Sequence, residues 1–215
     1  MKKYFEYPVD KEILKKLSNF YEDTSLNQHG INHTLKIDLK IGRVKKLINF
    51  NKKDKILDIG CSQGYALKLL SKEISKGLGL DISNSIIKQN KVNNNFKNIS
   101  YELYDGENIK KSIKFDKILL LDVLEHAFSP DKLIKSTHNN LKEDGKLIMQ
   151  VPFTGWLSEL MFGKYHQGHL RYYDPNYLKS YLKKFNFEVD NISVINSVPY
   201  SSYFLKYKVI HDILD

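Results

Sequence analysis

The chain has 215 residues, 41% of them hydrophobic, and a formal net charge of +9 at neutral pH. That length supports one sizeable core, and no stretch is long and apolar enough for a membrane span. The basic start MKKYFEYPVDKEIL lacks the apolar run of a secretory signal, and the single cysteine, Cys61, excludes an internal disulfide or a CxxC metal site; together these features point to the cytoplasm. The positive charge invites a nucleic-acid partner, but the lysines are scattered as pairs such as Lys52-Lys53, Lys110-Lys111 and Lys183-Lys184 among acidic residues. A solvated, compositionally biased surface is the favoured reading.

Helix and strand signals alternate along the chain, which predicts an α/β fold with a mainly parallel sheet. Two helical segments come first, Asp10 to Glu22 and Thr34 to Asn49. A strand over Lys55–Ile59 leads through a glycine turn into a helix reaching about Glu73. A second strand covers Gly77–Asp81, with Ser83 as the cap of a helix to about Val92, and a third lies near Ile99–Leu103. Phe115–Leu121 is the fourth strand. Ser129-Pro130 reads as a hydroxyl cap with proline in the first turn of a helix ending near Lys142. Lys146–Val151 is the fifth strand, and the irregular aromatic run from Phe153 to Tyr173 is too long for a plain connection. Asp174-Pro175 starts another helix, Phe187–Ile195 is a sixth strand, and the tail from Pro199 reads as a strand then a helix, or as one helix.

The turn in KILDIGCSQGYALKLL carries the chemistry. An apolar strand ending in a tight turn before a helix is where open α/β sheets bind ligands. The glycines, Gly60 and Gly64, fit neither the dinucleotide pattern nor a phosphate loop. Asp58, just before the first glycine, would repel a pyrophosphate and would suit a ligand bearing an ammonium group. Asp81 closes the second strand, where a carboxylate can accept both hydroxyls of a ribose.

These residues resemble the class I S-adenosylmethionine-dependent methyltransferases, in their small-molecule branch. LDIGCSQG is similar to their first motif, with Ser62 at the middle glycine. GLGLDIS, YDGENI, LLLDVLEHAFSPDKL, LKEDGKLIMQVP and HLRYYDPNYLKSYLKKFNFEV follow in the family's order. The resemblance implies a three-layer Rossmann-like α/β fold with a mainly parallel seven-stranded sheet whose last strand is antiparallel. It also implies an N-terminal helical cap over 1–50, a methyltransferase domain over 51–198, and residues 199–215 as the tail of that domain. The implied cofactor is S-adenosyl-L-methionine, with S-adenosyl-L-homocysteine as product. Its site would comprise Asp58, Gly60, Cys61, Gly64, Asp81, Ile82, Asp105, Gly106, Leu121, Asp122 and Val123. Asp58 would sit near the methionyl ammonium, Asp81 on the ribose and Asp105 on the adenine amino group. Cys61 is read as packing, since an activated donor needs no covalent relay.

For the acceptor, histidines cluster after strands four and five: His126, and His166 with His169. His169 and His126 are the candidate bases, since an imidazole titrating near neutrality can take a hydroxyl proton. Arg171 is a candidate anchor for a substrate carboxylate or phosphate. Trp156 and Phe162 are candidate lid residues. The favoured activity is O-methylation of a small-molecule acceptor, with no metal assigned. Asp122, Glu125 and His126 with a later histidine also resemble the metal-associated set of two groups. These are the ubiquinone-pathway O-methyltransferases and the 2′-O-methyltransferases of small-RNA 3′ ends. RNA 2′-O-methylation and a non-catalytic cofactor-binding domain are the alternatives.

Overall fold

The computed structural model describes residues 4–6, 31–110, 112–152, 169–197 and 206–214, with side chains placed over 38–110, 112–152 and 169–192. In chain order the elements are β1 (Tyr4–Glu6), α1 (Ile31–Leu47), β2 (Lys55–Ile59), α2 (Tyr65–Leu70), β3 (Lys76–Asp81), α3 (Asn84–Val92), β4 (Ile99–Leu103) and β5 (Phe115–Leu121). A 3₁₀ turn (Leu124–His126), α4 (Pro130–Asn140), β6 (Leu141–Pro152), β7 (Arg171–Tyr173), α5 (Pro175–Lys183), β8 (Glu188–Ser197) and β9 (Lys206–Leu214) follow.

The main sheet runs β4-β3-β2-β5-β6-β9-β8. The first five of these strands are mutually parallel, and β9 is antiparallel to both neighbours. Strand order reverses beside β2, so the crevice between the carboxyl ends of β2 and β5 is the topological switch point. The tail is therefore a strand among the described residues, completing the implied seven-stranded sheet. The expected Asp10–Glu22 helix and residues 153–168 of the aromatic run lie outside the described residues.

Strand side chains alternate between two faces, and each face has its own apolar layer. Leu57, Ile118, Leu120, Leu147 and Met149 face α4 and α5 through Leu133, Ile134, Leu178 and Leu182. Ile56, Leu119 and Ile148 face the other way, against Leu67 and Leu70 of α2, Ile87 of α3, and Ile41 and Val44 of α1. This is the three-layer arrangement, and α1 is part of its second layer.

The caps follow the sequence with one exception. Ser83 accepts from the Ile86 amide, and Asp174 accepts from Asn176 and Tyr177. Ser129 occupies the N-cap of α4 but makes no side-chain cap bond there. Its hydroxyl bonds the Glu107 carboxylate instead, a stronger acceptor than a neutral group. The EDG segment, expected as a turn before the fifth strand, is taken into β6 as an irregularity: Phe115 pairs with Leu141, then Lys117 with Lys146. The short β7 lies inside the stretch expected to be irregular, and pairs antiparallel with β1. Three residues are too few to show a period.

At the amino ends of the strands, Lys117 of β5 reaches Asp54 at 2.6 Å, and both side chains are nearly sealed from solvent. The Asp54 carbonyl also accepts from the Ser75 and Lys76 amides, so this corner ties the starts of β2, β3 and β5 together. Removing one member leaves a buried uncompensated charge. Lys117→Met is expected to lower the unfolding free energy by about 3 kcal/mol, or roughly 6–12 °C in Tm. Lys117→Met combined with Asp54→Leu should recover most of that loss in thermal unfolding.

Candidate active site

The candidate cofactor residues all converge on the carboxyl edge of β2, β3, β4 and β5. The turn after β2 is held by its neighbour strand: the Gly60 and Cys61 amides both donate to the Leu80 carbonyl, at 2.8 and 2.9 Å. Gly60 and Gly64 have φ of 70° and 71°, in the region that side chains disfavour. Space makes the same demand. A Cβ at Gly60 would lie 2.5 Å from Val123 Cγ2, and one at Gly64 2.3 Å from the Tyr101 hydroxyl. The turn is thus pressed against β4 and the β5 end at once. Ser62, at the family's middle glycine, still takes φ 45°. Its amide donates to Asp81 Oδ2 at 2.8 Å, and its carbonyl accepts from Asn90 Nδ2 at 2.6 Å.

Asp81 bridges two loops, since its other oxygen accepts from the Ser83 amide at 3.0 Å. A carboxylate oxygen has lone pairs for more than one donor, the chemistry that a ribose diol asks of an acceptor. Ile82 sits beside it, 3.3 Å from where a Cβ on Gly106 would stand. The Asp105 carboxylate is exposed and accepts from the Glu107 and Asn108 amides and the Asn108 side chain. The bond from the Asn108 amide chiefly holds it below the usual carboxylate range. Its carboxylate serves the turn, which shapes the crevice wall.

Asp58 is 4% exposed and lies on the α1 face of the sheet, one position from Ile59. Burial, reinforced by the neighbouring Asp81, pushes its pKa up to about 7, while Lys40 opposes the rise. Cys61 is buried too, and burial followed by the charges of Asp58 and Asp81 drives its thiol well above the ordinary range. It remains protonated, which agrees with a packing role.

Lys40 was not foreseen. It descends from α1 and pairs with Asp122 Oδ2 at 2.5 Å. Gln150, 1% exposed at the end of β6, donates to the other oxygen of Asp122 at 2.9 Å. Asp122 has φ 57°. As one of 34 basic residues Lys40 carries no signal of its own in the sequence. Gln150 does, as a polar residue inside the apolar run LIMQVP.

Past Val123 the chain turns at Leu124–His126. The His126 and His169 rings lie 4.8 Å apart between centroids, edge to face. Glu125 is fully buried, with Oε1 3.8 Å from His126 Nε2. One ligand atom from each of Glu125, His126 and His169 falls within a 4.8 Å group. The two candidate bases are therefore adjacent, while Asp122 stands apart from them with Lys40 and Gln150. Arg171 is 4% exposed and donates to the carbonyls of Ala127 and Phe128, so its head faces backbone rather than open solvent. His166, Trp156 and Phe162 lie outside the described residues.

Residues 32–192 match the family model described as a methyltransferase domain. A ubiquinone biosynthesis O-methyltransferase of Coxiella burnetii is 30% identical over 151 residues, 68% of this chain and 64% of that protein. The chain thus spans somewhat under two thirds of the length of this relative. A tRNA U34 carboxymethyltransferase of Campylobacter fetus is 34% identical over 120 residues, 54% of this chain and 42% of that one. Among solved structures, a chain from the complex of the Haloferax volcanii Trm112 methyltransferase activator with a methyltransferase superposes with TM-score 0.76 at 13% identity. That match covers 92% of this chain and 96% of that one. A methyltransferase of Bacillus halodurans gives 0.69 at 11% identity, covering 81% and 97%. No described helix is long and apolar enough to cross a membrane. With the glycine turn, the acids at the carboxyl edge and the matched domain in agreement, the chain belongs to the methyltransferase-domain family and carries a domain of the class I S-adenosylmethionine-dependent type.

Proposed function

We propose that the protein methylates a hydroxyl of a small-molecule acceptor, releasing S-adenosyl-L-homocysteine. The observation that carries this reading is the adjacent His126–His169 pair, with His126 in the turn that follows the carboxyl end of β5. The Coxiella relative, named as an O-methyltransferase, supports it.

When bound, the cofactor would supply a methyl group already activated for transfer to the acceptor oxygen, its sulfur leaving as a neutral thioether. Asp58 would receive its ammonium and Lys40 its carboxylate, Asp81 would accept from the ribose hydroxyls, Ile82 and the Asp105–Gly106 turn would border the adenine, and Leu121 to Val123 would close the side. The hydroxyl proton passes to the imidazole of His169 or His126. Holding acceptor and methyl in line supplies about 7–11 kcal/mol, and a positioned base a further 10²–10⁴-fold, roughly.

A second reading is favoured by the grouping of Glu125, His126 and His169. One carboxylate and two imidazoles suit a divalent transition ion. When bound, such an ion would orient the acceptor hydroxyl and lower its pKa. RNA is the alternative acceptor class, supported by the net charge and the tRNA-acting relative.

Three outcomes are expected. Asp58 must be ionised to receive the ammonium, so affinity for S-adenosylhomocysteine in calorimetry should rise with pH through about 7. The same proton affects stability in the opposite sense. A carboxyl whose pKa is raised on folding stabilises the protein below its unfolded value, and that contribution fades as pH climbs to about 7. Asp58→Asn should therefore raise the Tm of the cofactor-free protein at pH 8 and weaken S-adenosylhomocysteine binding by about tenfold or more. Unchanged affinity would remove Asp58 from the site.

Incubation of cell extract with the enzyme and labelled methyl donor, read by mass spectrometry, should show a small molecule gaining the label. A labelled RNA with steeply salt-dependent binding would replace that acceptor class. With the acceptor in hand, His169→Gln or His126→Gln should lower kcat by roughly 10²–10⁴ while S-adenosylhomocysteine affinity stays within about twofold.

Exhaustive chelation distinguishes the two mechanisms. Turnover lost to EDTA and restored by added Mg²⁺, Mn²⁺ or Co²⁺ establishes the ion-assisted reading. Turnover untouched by EDTA leaves the histidines as the proton acceptors.

A further inference from the structure

Arg171 is a buried cation that the reaction does not use, and it sits between the two segments that carry the candidate bases. We propose that Arg171 is a positioning residue: its guanidinium clamps the backbone after the Leu124–His126 turn to β7 and so fixes His126 against His169. This rests on the reading of those histidines as acceptor-side groups.

Three contacts zip residues 169–171 to residues 125–128. The Leu170 amide donates to the Glu125 carbonyl at 2.8 Å. Arg171 Nη1 donates to the Ala127 carbonyl, and Nη2 lies 3.4 Å from the Phe128 carbonyl. The contacts bracket the chemical side chains: the clamped carbonyls belong to Glu125 itself and to the two residues after His126, and His169 is two residues before the fork. The turn needs such help, because its own backbone offers only two short bonds, His126 N to Val123 O and Ala127 N to Leu124 O, at 2.9 and 3.3 Å. Three residues of 3₁₀ structure seldom hold a side chain in place unaided.

The residue type is informative. Two consecutive carbonyls require donors in a planar fork, which guanidinium has and a lysine ammonium lacks. A buried apolar side chain would fill the same space without desolvating a charge, so a purely packing role does not call for arginine. β7 is itself braced: Tyr172 is 4% exposed with its ring edge-to-face with His169 at 5.6 Å, and the Arg171 backbone stands opposite that of Glu6 in the β1–β7 ladder.

The test uses the full chain in three forms: wild type, Arg171→Lys and Arg171→Gly. With ring-labelled histidine, wild type should show a cross-relaxation peak between His126 and His169. Arg171→Lys is expected to weaken it and to lose about tenfold in amide protection over 125–128. S-adenosylhomocysteine affinity should stay within about twofold of wild type. With the acceptor identified by labelled extract, kcat should fall about tenfold or more with the cofactor KM unchanged. Millimolar guanidinium should restore the peak and part of kcat to Arg171→Gly. A wild-type peak and wild-type protection in Arg171→Lys would overturn the clamp, as would an Arg171→Gly protein that folds and turns over normally without guanidinium. If Arg171→Gly fails to fold, the Arg171→Lys comparison decides alone. Failure of the underlying reading looks different: His126→Gln and His169→Gln would keep full turnover while the NMR contact in wild type stood.

Discussion

Three carboxylates at one sheet edge, answered by one ammonium from α1, form the constraint on which the site depends. Asp58, Asp81 and Asp122 end three neighbouring strands, where their charges cannot be far apart. Asp58 shows the consequence, since burial and Asp81 hold its carboxyl up near neutrality. Lys40 relieves part of this through its pair with Asp122 and its field at Asp58. Asp58, Asp81 and Asp122 thus concentrate negative charge at this edge, and Lys40 answers part of it. A ligand carrying positive charge completes it, whereas a phosphate would add to the repulsion. Acids clustered in this way favour a ligand that carries positive charge over one that carries only phosphate.

The fold places that edge and then insulates it. Alternation along β2 sends Ile56 and Asp58 to the α1 side and Leu57 and Ile59 to the α4–α5 side. The acid therefore emerges from the layer that α1 covers. Ile41 and Val44 are buried in that layer, so Lys40 is delivered by an anchored helix. At the opposite ends of the strands, the sealed Lys117–Asp54 pair sets where β2, β3 and β5 begin, and hence where they end. Stability and chemistry occupy opposite edges of one sheet.

Much of this was legible in the residues. The β2–turn–α2 unit, Asp81, the Ser83 and Asp174 caps and the strand sequence to β6 follow from period, capping chemistry and the acid placement. What escaped has physical causes. Lys40 acts through an approach across 82 positions of sequence, and nothing local distinguishes it from the other lysines. Arg171 reads as an exposed anion anchor because burial is not written in HLRYY. Ser129 satisfies the cap pattern, yet Glu107, remote in sequence, offers its hydroxyl a charged acceptor. The β1–β7 ribbon is set by pairing between chain segments far apart, and three residues cannot reveal a period of two. The strand in the tail is fixed by its neighbours in the sheet, while its sequence alone admits a helix.

Backbone strain follows the same division. Among the described residues, three non-glycine residues have positive φ: Ser62 at 45°, Asp122 at 57° and Asn186 at 64°. Asn186 closes the turn after α5, a common place for asparagine. The other two flank the crevice, and each such conformation costs about 1–2 kcal/mol in a non-glycine residue. Both are held from several sides. Ser62 is tied through Asp81 and Asn90, and Asp122 through Lys40, the Gln150 side chain and the Gln150 carbonyl that accepts its amide. A glycine at position 62 would relieve the strain but would loosen the turn in the unfolded chain and in the native crevice alike. Serine there, restrained by two polar bonds, keeps the amide aimed at Asp81. The departure from the family's glycine is therefore compatible with the same site: the left-handed turn is retained, and its conformation is enforced by hydrogen bonds where glycine would have adopted it freely.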